Sequence, residues 1–128
     1  MKLSYLDTSA AMKLVVAEPE SGALVRALSA DRRLVASWLL HAEMHCAAGR
    51  HPNEVEIGDV QVVLNTVNLA DLTRGDMIAA GTLEPLRSND AIHLAVAIRL
   101  GADEIITYDR ELTEAARIAG LTIFAPGP

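Results

Sequence analysis

Five short apolar segments alternate with helix-like segments, and this alternation limits the fold more than any other feature of the sequence. The strand-like segments are residues 2–6, 33–36, 69–73, 104–107 and 121–124. Between them, apolar residues recur at the spacing of one helix face. Strands that alternate with helices favour a parallel sheet covered by helices on both faces. The sequence therefore predicts an α/β fold.

The ends of the predicted helices are marked by hydroxyl residues, which cap helix starts, and by glycines, which follow helix ends. Thr8 or Ser9 is expected to cap the first helix, which Pro19 ends. The other predicted helices span residues 20–30, 38–49, 54–65, 76–83, 89–100 and 110–119. Ser37 and Ser88 are the expected caps of the third and the sixth helix.

Length and charge narrow the function. The chain has 128 residues, 51% of them hydrophobic, so residues 1–128 are expected to form one domain with one core. Eleven basic against 17 acidic residues give a net charge of −6, the wrong sign for holding nucleic acid by phosphate neutralisation alone. One tryptophan, two tyrosines and one phenylalanine make a base-stacking platform a poor expectation. A nucleic-acid substrate would need metal to supply positive charge.

The compartment predicted from the sequence is the cytoplasm. Asp7 interrupts the first apolar run too early for a signal peptide. The run of residues 34–42 ends at Glu43, short of the roughly 18 apolar residues of a membrane span. Cys46 is the single cysteine, so no intrachain disulfide can form.

Four acidic residues stand where local structure does not explain them. Asp7 and Asp109 follow predicted strands, and ligands of open α/β sheets bind beyond the carboxyl ends of strands. Glu43 lies on an apolar stripe of its helix, where an unpaired carboxylate is costly. Asp90 lies in the first turn of a helix that is otherwise nearly all apolar. Clustered carboxylates repel one another unless a cation is present, and all-oxygen ligands favour Mg²⁺ or Mn²⁺.

Each acid also has an ordinary explanation. Asp90 could complement the helix dipole. Asp7 and Asp109 could be turn or cap residues, and Glu43 could pair with Arg50. All four explanations would have to hold together, so a divalent-metal site is the favoured interpretation.

Other polar residues are weaker candidates. Thr8, Ser9 and Thr107 could orient the carboxylates or only cap helices. Four basic residues close to the acids in sequence could contact phosphates or be salt-bridged: Lys13, Arg50, Arg87 and Arg110.

The histidines are interpreted as surface or packing residues. His41 and His45 lie four residues apart, but the segment HAEMH is not the zinc motif HExxH. His93 lies within the apolar helix and is expected to be a core histidine.

Four segments together resemble a known family. They are YLDTSAAMKL at 5–14, the Ser37, Leu39 and Glu43 pattern, LRSNDAIHLA at 86–95 and ITYDREL at 106–112. In order and spacing they resemble PIN domains, and most closely the VapC-type toxins of prokaryotic toxin–antitoxin pairs. The resemblance covers nearly the whole chain.

The resemblance implies a three-layer α/β/α sandwich with a five-stranded parallel sheet in the order 3-2-1-4-5. It implies that Asp7, Glu43, Asp90 and Asp109 are catalytic and bind Mg²⁺ or Mn²⁺, with Thr107 before the last acid. The implied activity is that of a metal-dependent endoribonuclease, a hydrolase of RNA phosphodiesters. The implied partners are an RNA substrate, a second copy in a homodimer and a VapB-type antitoxin. Asn89 departs from the family, which more often has an apolar residue or threonine there.

Three alternatives remain at this point. A receiver-like phosphoacceptor domain would need an acidic pair after the first strand, where this chain has Asp7, Thr8 and Ser9. A haloacid-dehalogenase-type phosphatase would need D-x-D, but Ser9 occupies the second position. A catalytically silent PIN-like module for nucleic-acid binding or assembly would keep the fold without the activity.

Overall fold

Strands and helices alternate along the two described parts of the chain, residues 1–28 and 31–128, in a computed structural model. The strands are β1 (Lys2–Leu6), β2 (Arg32–Ser37), β3 (Asn68–Ala70), β4 (Glu104–Ile106) and β5 (Thr122–Phe124). The helices are α1 (Thr8–Met12), α2 (Ser21–Leu28), α3 (Trp38–Arg50), α4 (Ile57–Asn65), α5 (Arg74–Ala80), α6 (Ser88–Arg99) and α7 (Arg110–Ile118).

The five strands form one parallel sheet in the order β3-β2-β1-β4-β5. The predicted parallel sheet and its order are therefore confirmed. Strand β1 lies at the centre and pairs with β2 on one side and with β4 on the other, where Leu6 lies beside Ile106. Since both strands run the same way, the residues that follow them, Asp7 and Thr107, leave the sheet at the same edge.

The order of the strands places helices on both faces. The chain moves outwards from β1 to β3, returns past β1, and then moves outwards again through β4 and β5. Parallel crossovers are right-handed, so the two halves lay their helices on opposite faces. The central strands are accordingly buried, with Tyr5, Leu6, Ile105 and Ile106 fully shielded from solvent. This is the predicted three-layer sandwich.

Two predicted caps were wrong. The cap of α1 is Asp7, whose carboxylate accepts the Ser9 amide, and not Thr8 or Ser9. Ser88 is the first residue of α6, and the cap position belongs to Arg87, which makes no side-chain capping bond. Ser37 caps α3 as predicted. A carboxylate that leaves a strand can turn back onto the first helical turn, and the sequence does not distinguish this from capping by the next hydroxyl.

Several predicted boundaries also moved. The first helix ends at Met12, well before Pro19. The predicted helix 20–30 is observed as α2, and residues 29 and 30 lie outside the described residues. The helix predicted at 54–65 starts at Ile57, and the one predicted at 76–83 is α5, which starts earlier at a capping box between Thr73 and Asp76. Gly101 and Gly120 have φ values of 68° and 92° and follow the ends of α6 and α7.

Within the part of the chain that the structure describes, no helix has the length and apolar character needed to cross a membrane.

Candidate active site

Asp7 is held at the carboxyl end of β1 by three hydrogen bonds to one carboxylate oxygen. Its Oδ2 accepts the Ser9 amide (3.2 Å), the Ser9 hydroxyl (2.6 Å) and the Thr107 hydroxyl (2.9 Å). The residue is only 2% exposed. Among the described residues, Oδ1 has no hydrogen-bond partner, and no fully buried side-chain oxygen lacks one. Oδ1 is therefore the oxygen that remains open to solvent.

The same hydroxyls connect Asp7 with the end of β4. Thr107 Oγ1 accepts the Asp109 amide at 3.1 Å, and Ser9 Oγ accepts the Tyr108 amide at 3.0 Å. Asp109 in turn caps α7, because its Oδ1 accepts the Leu112 amide at 2.8 Å. One oxygen of each aspartate thus fixes the local backbone, and the other has no partner among the described residues.

Glu43 reaches the site from the second turn of α3. Its Oε1 accepts the Thr8 hydroxyl at 2.7 Å and lies 2.6 Å from Nε2 of His93. Asn89 Nδ2 approaches Oε2 at 3.4 Å. Burial raises the pKa of Glu43, but the hydrogen bonds of His93 and Thr8 outweigh it and hold that pKa below its ordinary value. Glu43 is therefore ionised.

Asp90 lies in the first turn of α6, and its carboxylate has no hydrogen-bond partner among the described residues. Partial burial and then the negative charges of Asp109 and Asp7 raise its pKa to about 6, against an opposing influence of His93 and with a smaller contribution from Glu43. A carboxyl group responds in this way only to charges nearby. The four predicted acids come from four separate parts of the chain, and Asp90 lies near enough to the other three to feel their charges.

The chemistry of the four acids suits a hard divalent cation. All of their donor atoms are oxygens, and Asp7, Asp90 and Asp109 each keep an oxygen without a partner among the described residues. Oxygen ligands of this kind suit Mg²⁺ and Mn²⁺. No three histidine, cysteine or acidic side chains of the described residues stand at metal-ligand spacing. The four acids therefore do not form a closed coordination shell.

The basic candidates divide into two groups. Lys13 forms ion pairs with Glu18 (2.9 Å) and Glu20 (2.7 Å). For Lys13, the structure therefore agrees with the prediction of a salt bridge. The ion pairs of the described residues do not include Arg50, Arg87 or Arg110. Arg50 lines a cavity of about 510 Å³ beside Thr8, Glu43 and Asn89. Among the described residues, Arg50 forms no ion pair with Glu43. The ordinary explanation of Glu43, as the ion-pair partner of Arg50, is therefore wrong.

His93 is a site residue that sequence reasoning missed. It is 1% exposed, as a core histidine should be, but both ring nitrogens have partners and one of them is Glu43. The available signal was its spacing, because positions 89, 90 and 93 share one face of α6. His41 and His45 instead stack on each other, with ring centroids 4.1 Å apart, and Trp38 lies beside His41.

Comparison with known proteins gives matches across nearly the whole chain. The PIN domain family matches residues 4–118. Ribonuclease VapC46 of Mycobacterium tuberculosis is 39% identical over 131 aligned positions, covering 98% of this chain and 99% of that protein. Ribonuclease VapC35 of the same species is 34% identical and covers 96% of each chain.

Solved structures share the fold at lower identity. The crystal structure of Mycobacterium tuberculosis VapC20, a sarcin-ricin loop cleaving toxin, superposes with a TM-score of 0.71 at 15% identity, covering 93% of this chain and 96% of that one. VapBC2 from Rickettsia felis, bound to a DNA fragment from its promoter, gives a TM-score of 0.70 at 14% identity, with 97% and 98% covered.

These solved structures share the fold of the described chain, whose sheet has the order 3-2-1-4-5. The chain belongs to the PIN-domain family, among its VapC ribonucleases. This membership removes the receiver-like and phosphatase alternatives.

Proposed function

We propose that this chain is the toxin of a toxin–antitoxin pair and cleaves RNA as an endoribonuclease that depends on Mg²⁺ or Mn²⁺. The observation that carries the proposal is the electrostatic proximity of Asp7, Glu43, Asp90 and Asp109, none of which forms an ion pair with a lysine or arginine of the described residues. Whole-length similarity to two VapC ribonucleases supports the same reaction class. Residues 1–128 would act as a single PIN domain.

The four acids share one task in this proposal, which is to hold the cation. The cation, when bound, would stabilise charge on the phosphodiester and make water a better nucleophile. Ser9 and Thr107 fix the rotamer of Asp7 by bonding one oxygen, so that the other stays available. Asp109 is fixed in the same way by its capping bond. Asp90, whose pKa is raised to about 6 by burial and neighbouring carboxylates, gains most from a cation.

RNA would be held by few basic residues, because the chain is acidic overall. Arg50, Arg87 and Arg110 are the stronger candidates for phosphate contacts, since they have no ion pair within the described residues. Lys13 is a weaker candidate because two glutamates already hold its ammonium group. These assignments remain predictions.

The proposed partners are supported by the negative charge of the site and by similarity to solved toxin–antitoxin structures. Solved proteins of the same fold include VapBC2 and a toxin–antitoxin complex from Klebsiella pneumoniae. An arginine from a VapB-type antitoxin would be attracted to the four carboxylates and would compete with the cation. We further propose that the protein forms a homodimer and acts in the cytoplasm, where its RNA substrate is found.

The test is cleavage of a structured RNA pool by antitoxin-free protein in Mg²⁺, in Mn²⁺ and in EDTA. Asp7→Asn should fold normally and lose cleavage, because it removes a charged ligand while keeping the size of the side chain. Asp59→Asn is the matched control, since Asp59 is an exposed aspartate of α4.

Full activity of Asp7→Asn, or cleavage that persists in EDTA, would contradict the proposal. RNA binding without cleavage under every metal condition would favour the catalytically silent module instead.

A further inference from the structure

A buried series of hydrogen bonds links the backbone of β2 to the carboxylate of Glu43. The Ser37 amide donates to the Tyr5 hydroxyl at 3.2 Å. The hydroxyl lies 2.7 Å from Nδ1 of His93, and Nε2 of His93 lies 2.6 Å from Oε1 of Glu43. Tyr5 is fully buried and His93 is 1% exposed. Neither residue has a task in the proposed function.

The carboxylate partner fixes the direction of one of these hydrogen bonds. The ionised Glu43 carboxylate can only accept, so Nε2 of His93 must carry a proton and donate it to Oε1. The Thr8 hydroxyl lies 3.0 Å from the same ring nitrogen. Nδ1, the other ring nitrogen, is hydrogen-bonded to the Tyr5 hydroxyl, whose oxygen also accepts the Ser37 amide. Tyr5 therefore holds the ring in the orientation in which His93 donates to Glu43.

The bonds leave the two oxygens of Glu43 in different situations. Oε1 receives both the Thr8 hydroxyl and the His93 ring N–H. Oε2 has only the long contact of 3.4 Å with Asn89. A carboxylate held by one oxygen presents the other in a fixed direction. Groups that orient metal ligands in this way commonly affect metal affinity as much as a weak ligand does.

We propose that His93, oriented by Tyr5, is a positioning residue that directs Oε2 of Glu43 towards the divalent cation. This inference rests on the proposed function, because it assumes that Glu43 is a ligand. It assigns His93 no contact with RNA or metal and no proton transfer. Its contribution is the N–H group at the Nε2 position.

A role in packing alone would depend on the volume of the ring and not on that N–H group. His93 packs edge-on against Tyr5, with centroids 5.7 Å apart, so the packing alternative is concrete. Two substitutions separate the alternatives. The side-chain amide of glutamine can place an N–H at the former Nε2 position. The shorter asparagine reaches only the former Nδ1 position, and both substitutions remove the ring.

Tyr5→Phe tests the other end of the series with little change in volume. It removes the hydroxyl that orients the ring and leaves the His93 N–H in place. Tyr108→Phe is its matched control, because it deletes a hydroxyl that bonds the Pro126 carbonyl. The tyrosine pair remains informative even where a His93 variant does not fold.

The experiment is calorimetric titration of Mn²⁺ into the full chain for wild type and the four variants, with circular dichroism and Tm recorded for each. His93→Asn should weaken Mn²⁺ binding by about 10- to 100-fold, the range for residues that orient ligands. His93→Gln should stay close to wild type, Tyr5→Phe should fall between them, and Tyr108→Phe should equal wild type.

Equal Mn²⁺ affinity of His93→Gln and His93→Asn would overturn the inference, as would equal affinity of Tyr5→Phe and Tyr108→Phe. If the paired variants have equal affinity but wild type binds Mn²⁺ and cleaves RNA, the inference fails and the proposed function stands. Wild type that neither binds Mn²⁺ nor cleaves RNA would overturn both.

Discussion

The two ends of the β1–β4 pair carry carboxylates in opposite electrostatic situations. The strands run side by side from Ser4 and Glu104 to Leu6 and Ile106. At the amino end, Glu104 is surrounded by basic groups of the protein. At the carboxyl end, Asp7 and Asp109 follow the same strands, and the partners of their carboxylates among the described residues are hydroxyls and amides. One strand pair therefore offers a direct comparison of a neutralised and an unneutralised acidic group.

The amino end is complete without any ligand. Glu104 is 1% exposed, and its Oε2 receives the Ser4 hydroxyl at 2.6 Å and Nε of Arg32 at 2.7 Å. Lys2 lies 3.6 Å from the other oxygen. Burial raises the pKa of Glu104, but the Ser4 and Arg32 hydrogen bonds outweigh it and hold the pKa below its ordinary value. Its charge is balanced within the protein, which is the arrangement of a structural ion pair.

The carboxyl end lacks that balance. Asp90 shows it most clearly, because burial and the charges of Asp109 and Asp7 raise its pKa to about 6. The acids at this end repel one another, so a cation from solution would relieve a cost that the folded chain already carries. The comparison teaches that burial alone does not mark a functional carboxylate. The presence or absence of a lysine or arginine partner among the described residues separates the two ends.

The largest expected effect is on catalysis and is confined to the carboxyl end. Asp90→Asn should lower the single-turnover rate constant of RNA cleavage by more than about 100-fold, the upper end for residues that only support ligands. Glu104→Gln should cleave at close to the wild-type rate below its unfolding temperature. Single-turnover cleavage in Mn²⁺ measures both, and similar losses in the two variants would break the comparison.

The next effect is on stability and should be confined to the amino end. Glu104→Gln leaves the largely buried Arg32 guanidinium without its charged partner, and such a change costs about 3 kcal/mol. Asp90→Asn breaks no hydrogen bond of the described residues and should not destabilise the metal-free protein. Urea unfolding in EDTA gives both values, and a loss in Asp90→Asn as large as in Glu104→Gln would refute this difference.

Added cation should stabilise the folded protein only through the acids at the carboxyl end. At a free Mn²⁺ concentration 100 times its Kd, binding to the folded state contributes about 2.7 kcal/mol. Wild type and Glu104→Gln should gain equally, since the amino end has no part in binding. Asp90→Asn should gain much less. Thermal unfolding with and without Mn²⁺ tests this, and an equal gain in all three proteins would place the cation elsewhere.

The sequence predicted which acids lie at the carboxyl edge of the sheet better than it predicted the hydrogen bonds that hold those acids. Asp7 and Asp109 follow strands, and parallel strands deliver their ends to one edge, so position along the chain was enough. Glu43 and Asp90 were found by contrast with their apolar neighbours. The order of the strands came from the family resemblance and was confirmed by the pairing of β1 with β2 and β4.

The bond between His93 and Glu43 could not be predicted, because it joins residues 50 positions apart on two helices whose packing is set by the whole core. Helix periodicity shows that His93 faces inwards but not what it meets. The α1 cap was wrong for a related reason. Asp7, Thr8 and Ser9 are all good caps, and tertiary bonds from Thr107 decide which of them turns towards the helix.

The smallest expected effect is on pH dependence, and it follows from Asp90. Its pKa in the folded state is raised from 3.8 to about 6 by burial first and by Asp109 and Asp7 next. A carboxyl group with a raised pKa contributes stability below its unfolded-state pKa. That contribution is lost as the pH rises through the folded-state pKa. In EDTA, wild type should therefore lose stability relative to Asp90→Asn between about pH 4 and pH 6.

Because Asp90 is partly exposed, water screens the repulsion that its carboxylate feels. We therefore expect the free energies of unfolding of wild type and Asp90→Asn to differ by about 1 kcal/mol above pH 6. Glu43 and Glu104 have lowered pKa values and change stability in the opposite direction, but they are present in both proteins and largely cancel. Urea unfolding at pH 4.5 and pH 7.5 measures the difference, with Asp59→Asn as the control. A difference independent of pH would mean that the acids at the carboxyl end do not repel one another in the folded protein, and the comparison with Glu104 would lose its physical basis.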